Sequence, residues 1–145
     1  MTVKQALKLK NKLVKEINED FQKVLTYNSI DVENNRPYSS KELVVKIDEK
    51  TKNLIELKTK IHLANTPVYD KIFKLSELKS LVSKYKLIDC TEGISSDSYS
   101  RRLEKQSVKK SEISVLEKDS LIKKLESQIE TIQEELDAHN ATTKI

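Results

Sequence analysis

The sequence predicts an all-α protein of long amphipathic helices that pack antiparallel, as a helical bundle or as coiled-coil hairpins. Of its 145 residues, 37% are hydrophobic and 34% are charged, so the apolar side chains must be concentrated in narrow stripes. One glycine and two prolines leave little turn chemistry for a many-stranded sheet. We therefore expect a single helical domain over residues 1–145.

The first helix is predicted at about residues 2–27. Its apolar residues recur three or four positions apart, which is the period of one helix face. They are Val3, Leu7, Val14, Ile17, Phe21 and Val24, with Ala6 and Leu13 on the flank. A polar connection over residues 28–38 follows, and it is too long for a tight turn.

The second helix is predicted at about 40–64 and the third at about 67–88. Ser39 followed three residues later by Glu42 is a capping-box pattern, which marks the start of the second helix. Thr66 and Pro67 predict an N-cap and a first-turn proline for the third helix. So short a link between two helices favours an antiparallel hairpin over a kink.

The fourth helix is predicted at about 119–140, with Asp119 or Ser120 as its cap. Its apolar residues alternate at spacings of three and four without a break, and we call them the last-helix seam. The seam consists of Ile122, Leu125, Ile129, Ile132 and Leu136. So regular a pattern is typical of coiled coils, and we expect the seam to join copies of the chain in a homo-oligomer.

A short β-hairpin or extended piece is predicted near residues 99–116. Within this region Ile113 and Val115 alternate with polar neighbours, which favours an extended segment at Glu112–Leu116. Serines and basic residues dominate the rest of the region, so no helix is expected there.

The residues that most often carry catalysis are scarce. One glycine cannot build the loops of P-loop or Rossmann nucleotide sites. Thr59 and Leu136 stand three residues before His62 and His139, where a di-iron bundle would need glutamates. We therefore interpret both histidines as structural and expect no enzyme activity, catalytic residue, metal, cofactor or small-molecule substrate.

Charge is mixed along the chain, with a net charge of +4 at pH 7. Four lysines of the first helix lie on roughly one side, and we call them the lysine stripe. They are Lys4, Lys8, Lys12 and Lys15. The lysine stripe could contact nucleic acid or an anionic membrane. Interspersed charge is more typical of a helix face exposed to water, so both of these partners rank below self-association.

Cysteine content and hydropathy favour a cytoplasmic protein. Cys90 is the one cysteine, so no intrachain disulfide can form, which fits a reducing compartment. The basic segment Met1–Lys10 is not followed by the apolar core of a signal peptide. The longest apolar run, Leu43–Val45, is far shorter than the roughly 20 residues of a transmembrane helix.

Five segments together resemble a small bacterial family. They are Val3–Leu7 (VKQAL), Ile61–Thr66 (IHLANT), Leu75–Leu78 (LSEL), Tyr99–Arg101 (YSR) and Asn140–Ile145 (NATTKI). Through these segments, which are spread over nearly the whole chain, the sequence resembles the septicolysin-like proteins. The resemblance implies a helical protein, and the family's name implies a membrane-active, cytolysin-like role. It implies no catalytic or binding residue.

The leading functional interpretation is a non-enzymatic structural or interaction protein that forms a helical homo-oligomer. The resemblance supplies the first alternative, a membrane-active cytolysin-like protein. The lysine stripe supplies the second alternative, a weak polyanion-binding module.

Overall fold

The computed structural model describes residues 1–95 and 107–145, and helix dominates them, as the composition predicted. The described helices are α1 (Val3–Tyr27), α2 (Ser40–Asn65), α3 (Tyr69–Tyr85) and α4 (Val115–Thr142), with a 3-10 turn at Thr66–Val68. Two short strands, β1 (Gly93–Ser95) and β2 (Ser107–Lys109), pair antiparallel.

The chain groups into two compact units. The first unit contains Met1–Tyr69 and Asp137–Ile145, and the second contains Asp70–Leu136. The single helical domain that the length favours stays a prediction, as does the hairpin between the second and third helices.

Helices α1 and α2 of the first unit each begin after a residue whose side chain caps the helix. Thr2 caps α1 with a complete capping box, because its hydroxyl accepts from the backbone N–H of Gln5 and its own N–H donates to the Gln5 side chain, at 3.3 and 2.9 Å. The hydroxyl of Ser39 accepts from the N–H of Glu42 at 3.3 Å, which confirms the predicted start of α2.

The predicted cap at Thr66 is wrong. Thr66 follows the last residue of α2, and its hydroxyl donates back to the carbonyl oxygen of His62 at 3.5 Å. Pro67 lies within the 3-10 turn, where its fixed φ fits as well as in an α-helix. The third helix therefore begins at Tyr69 and ends at Tyr85, short of the predicted 67–88.

The start of the last helix, in contrast, was predicted too late. Ser114 accepts from the N–H of Glu117 at 3.1 Å, and this cap lets α4 begin at Val115 rather than at 119. The extended piece expected at Glu112–Leu116 is therefore helical from Val115 onward.

The predicted short hairpin corresponds in part to β1 and β2. Strand β2 lies inside the 99–116 region, whereas β1 precedes it, and residues 99–106 of the prediction lie outside the described residues. Gly93 opens β1 with a φ of 95°, a backbone conformation that residues other than glycine rarely adopt.

Helices α1 and α2 pack antiparallel in the first unit. Ala6, near the start of α1, forms a buried cluster with Leu57 and Ile61, near the end of α2. Asp20, late in α1, pairs with Lys50, earlier in α2. Ala6 is fully buried, and so small a side chain lets the two helices approach closely at this end.

The two ends of the chain meet within the first unit. The N–H of Val3 donates to the carbonyl oxygen of Thr143 at 2.9 Å, and the N–H of Ile145 donates to that of Met1 at 3.0 Å. Val3 is fully buried, and Ile145 packs against the Ala6 cluster. The last residues thereby complete the core between α1 and α2.

A partly buried ion pair crosses the α1–α2 contact. Asp20 is only 8% exposed, and its Oδ2 lies 2.7 Å from Lys50 Nζ, which is also 3.5 Å from Glu16 Oε2. The hydrogen bond to Asp20 raises the pKa of the Lys50 ammonium above its ordinary value of 10.5. Each charge therefore offsets the cost of removing the other from water.

The second unit also contains an antiparallel helix pair. Lys71 in α3 lies 2.9 Å from Glu135, late in α4, and Lys118 in α4 donates to the carbonyl oxygen of Ile88, just after α3. The start of α3 therefore lies beside residues late in α4. Val82 and members of the last-helix seam are buried in this unit.

We expect Asp20→Ala to lower the free energy of unfolding by about 1–3 kcal/mol, because it leaves a half-buried cation with Glu16 alone. Urea unfolding followed by circular dichroism at neutral pH measures this change. The control, Glu56→Ala, removes an exposed pair with Lys60 and should leave the urea midpoint unchanged. Equal effects of the two variants would contradict the role of Asp20.

The difference between wild type and Asp20→Ala should also depend on pH. Because the pKa of Lys50 is raised in the folded state, its contribution to stability is fully present below its ordinary value of 10.5. That contribution is lost as the pH rises through the higher folded-state pKa. The two urea midpoints should therefore stay apart at neutral pH and converge above pH 10.5.

Candidate functional site

The lysine stripe lies on α1 with carboxylates close to it. Lys12 and Lys15 pair with glutamates one turn later, at 3.8 and 3.7 Å. The other two lysines border an open depression of about 370 Å³, lined by Lys4, Leu7, Lys8, Asn11, Asp137 and Asn140. Exposed pairs of this kind neutralise charge locally and add little stability. The polyanion-binding role stays a prediction.

The last-helix seam faces inward within a single chain. Ile122, Ile132 and Leu136 are buried, and Leu125 and Ile129 are half-buried. Most of the apolar surface of the seam is therefore already covered without a second copy. Its role in joining copies stays a prediction, and little of its surface is left to carry that role.

Both histidines take part in hydrogen bonds inside the first unit. His139 lies near the end of α4, where its Nε2 is 3.2 Å from Asn65 Oδ1 and its Nδ1 is 3.1 Å from Thr143 Oγ1. Tyr69 bonds to the Nδ1 of His62 and donates to its carbonyl oxygen at 3.2 Å. These contacts fit the structural role that the sequence predicted.

A metal site has no support in the part of the chain that the structure describes. No group of three or more histidine, cysteine, aspartate or glutamate side chains lies close enough together there to hold an ion. Cys90 is half-buried, and its sulfur contacts the carbonyl oxygen of Ile88 at 3.8 Å.

Five large apolar side chains of α1 and α2 are exposed on one side of the helix pair, and we call them the α1–α2 face. Their exposed fractions are 38% for Val14, 48% for Phe21, 61% for Leu25, 53% for Val44 and 60% for Ile55. Each directly follows a buried or half-buried residue of the helix contact. These preceding residues are Leu13, Asp20, Val24, Leu43 and Leu54. In antiparallel helices, the positions after inward-facing residues lie on the same side of the pair.

Sequence reasoning did not separate this face from the core. The periodicity placed Val14 and Phe21 in one stripe with Val3, but Val3 is buried whereas the other two are exposed. The line that meets α2 instead contains Ala6, Leu13 and Asp20, which are seven residues apart. That spacing was visible in the sequence, but an aspartate does not count as apolar, and the line was not recognised.

A second exposed apolar group lies on the β-hairpin of the second unit. Ile94 and Val108 are cross-strand partners, and both are exposed. Directly opposite residues of an antiparallel pair share one face of the sheet, so the two side chains form an apolar pair on that face. None of the described helices is long and apolar enough to cross a membrane.

Comparison with known proteins finds no family model, no curated protein and no solved structure that matches this chain. The resemblance to septicolysin-like proteins stays a prediction. The exposed surfaces of the chain are therefore the guide to its function, and the α1–α2 face is the larger of the two apolar groups described above.

We expect Ile129→Lys to lower the free energy of unfolding by about 1–3 kcal/mol, because it places a charge among the inward-facing residues of the second unit. Thermal unfolding followed by circular dichroism measures the loss. Gln128→Lys adds the same charge at a neighbouring exposed position and serves as the control. An unchanged melting temperature for Ile129→Lys would show that the seam is not packed within the chain.

Proposed function

We propose that this chain is a non-enzymatic structural protein of the cytoplasm that forms a homo-oligomer through the α1–α2 face. The observation that carries the proposal is the exposure of five large apolar side chains on one side of the helix pair. Apolar surface in contact with water is unfavourable, and burial against a partner removes that cost.

The architecture of the first unit supports a further layer on this side. Helical domains gain stability when each apolar stripe packs against another element. Helix α1 has one stripe against α2, through Ala6 and Leu13, and a second stripe that includes Val14 and Phe21. The second stripe remains exposed, so a partner helix has apolar surface to bury.

The chemistry of the described residues supports a role that does not involve catalysis. Both histidines are engaged in hydrogen bonds that tie helix ends together. Lys50, whose pKa is raised, pairs with Asp20 inside a helix contact rather than in a cleft. A lone, half-buried Cys90 is compatible with the reducing conditions of the cytoplasm.

We expect the wild-type chain to sediment at a multiple of 16.7 kDa, with a melting temperature that rises with protein concentration. Phe21→Glu should reduce the mass to that of one chain without loss of helix, because it places a carboxylate in the centre of the proposed contact. Sedimentation equilibrium and circular dichroism measure both quantities.

The matched control is Thr26→Glu, which adds the same charge at an exposed position of α1 outside the α1–α2 face. It should leave the mass unchanged. If the wild-type chain is a monomer at all concentrations, the proposed function is wrong. If Phe21→Glu keeps the full mass, association uses another surface.

A membrane-active role is the second candidate function. The exposed pair of Ile94 and Val108 favours it, since Lys109 and Lys110 follow directly and apolar residues beside lysines are typical of membrane-surface segments. The described part of the second unit nevertheless contains acidic residues near this hairpin, including Asp89 and Glu92. These carboxylates weaken attraction to anionic lipid.

We expect no dye release when the wild-type chain is added to vesicles of phosphatidylcholine and phosphatidylserine. Fluorescence dequenching measures release. Release that disappears in the double variant Ile94→Ser/Val108→Ser, but persists in Phe21→Glu, would favour the membrane-active role over the structural one.

A further inference from the structure

One end of the exposed series on α1 is already covered by the same chain. Leu7, Val14 and Phe21 are seven residues apart and so lie along one side of α1. Leu7 is half-buried and packs, like Ile145, against the buried Ala6 cluster. It also shares a depression with Asp137, near the end of α4. The end of α4 therefore covers this side at Leu7, whereas Val14 and Phe21 are left exposed.

The uncovered part of the face contains two apolar layers. Helices α1 and α2 run antiparallel, and Asp20 of α1 contacts Lys50 of α2. A residue of α1 therefore lies beside the residue of α2 for which the two residue numbers add up to about 70. Leu25 consequently lies beside Val44, and Val14 lies beside Ile55. The two layers are separated by eleven residues on each helix, which is roughly 16 Å.

We infer that the partner on this face is a second copy of the chain, turned by 180° about an axis perpendicular to the helices. This inference rests on the proposed function. In this arrangement the Leu25–Val44 layer of each copy packs on the layer formed by Val14 of the partner subunit and Ile55 of the partner subunit. Each apolar layer then meets an apolar layer.

The covered end of the face determines the direction of the partner. Two copies that point the same way would bring their segments 137–145 against each other, because both would lie at the same end of the contact. The 180° rotation places these segments at opposite ends. Only the uncovered parts of α1 and α2 then overlap.

Charges at the edge of the face match this arrangement. The rotation axis passes about midway between Val44 and Ile55, and Asp48 and Lys52 lie on either side of that point. They form an ion pair within α2 at 2.8 Å, and both are well exposed. The rotation brings each Asp48 towards Lys52 of the partner subunit, so that opposite charges alternate across the axis.

On α1 the positions nearest the axis carry amide side chains, and the adjacent Lys15 and Glu19 form an exposed ion pair at 3.7 Å. Asn18 and Gln22 lie on either side of the axis position on α1, and both are exposed. The rotation therefore places amide beside amide, which allows hydrogen bonds without burying an unpaired charge.

The exposed area favours a dimer of modest stability. Five side chains with exposed fractions of 38–61% supply a few hundred Å² of apolar surface per copy. A stable interface buries about 800 Å² per partner, so the apolar residues would provide on the order of half, and the polar edges the remainder. Dissociation on dilution is the expected consequence.

Cysteine pairs introduced into a Cys90→Ser background test the arrangement. Val14→Cys and Leu25→Cys are roughly 16 Å apart within one chain, too far for a disulfide, which requires Cα atoms within about 7 Å. Across the proposed dimer the two substituted positions face each other. We expect mild oxidation to convert most of the double variant into a covalent dimer on a non-reducing gel.

Each single variant serves as a control, since identical positions lie roughly 16 Å apart across the axis and should not crosslink. Val44→Cys with Ile55→Cys provides an independent pair on α2 with the same expectation, in case substitutions in α1 prevent folding. Circular dichroism and sedimentation under reducing conditions check that each variant still folds and associates.

The outcomes separate this inference from the proposed function. If the wild-type chain is a dimer but both double variants fail to crosslink, or a single variant crosslinks as well as the double, the arrangement is wrong and self-association stands. If the wild-type chain is a monomer, both the proposed function and the arrangement are wrong. Crosslinking of both double variants, and of no single variant, supports the arrangement.

Discussion

The ion pair between Asp20 and Lys50 fixes the register of α1 on α2. Asp20 lies on the line of Ala6 and Leu13, along which the two helices meet, and it is the one buried charged residue of the described chain. A buried carboxylate that loses its cation is strongly destabilising. A slide of α2 that brought Leu54 to this place would leave the carboxylate among apolar atoms, so only registers that keep a cation there are favourable.

This register determines which apolar residues α1 can bury. A contact with one neighbouring helix covers only a narrow seam of a helix surface. The apolar residues of α1 form a broader stripe, so α2 alone cannot cover all of them. With Asp20 turned towards α2, Val14, Phe21 and Leu25 are turned to the side. The described chain covers that side only at Leu7, where the end of α4 and Ile145 are near.

Periodicity and capping residues predicted the helices well but not their neighbours. The start of α2 was predicted correctly because Ser39 is a strong local signal. Helix α4 starts earlier than predicted because Ser114 caps it ahead of the later candidates Asp119 and Ser120. The contact line of α1 was missed because Asp20 is polar. Its significance depends on Lys50, which lies thirty residues away, and no local pattern contains that information.

For the candidate interaction surface too, a local pattern predicts that a helix packs but not what it packs against. The last-helix seam is the most regular apolar pattern in the sequence, and regularity predicts that a helix packs, but it does not identify the partner. Ile122, Ile132 and Leu136 find their neighbours within the chain. The apolar residues available to a second copy are those that stay exposed after the chain has packed on itself. On α1 they are exposed because its apolar stripe is broader than its contact with α2. A less regular helix is therefore the stronger candidate for association, because it has more apolar width than its own chain covers.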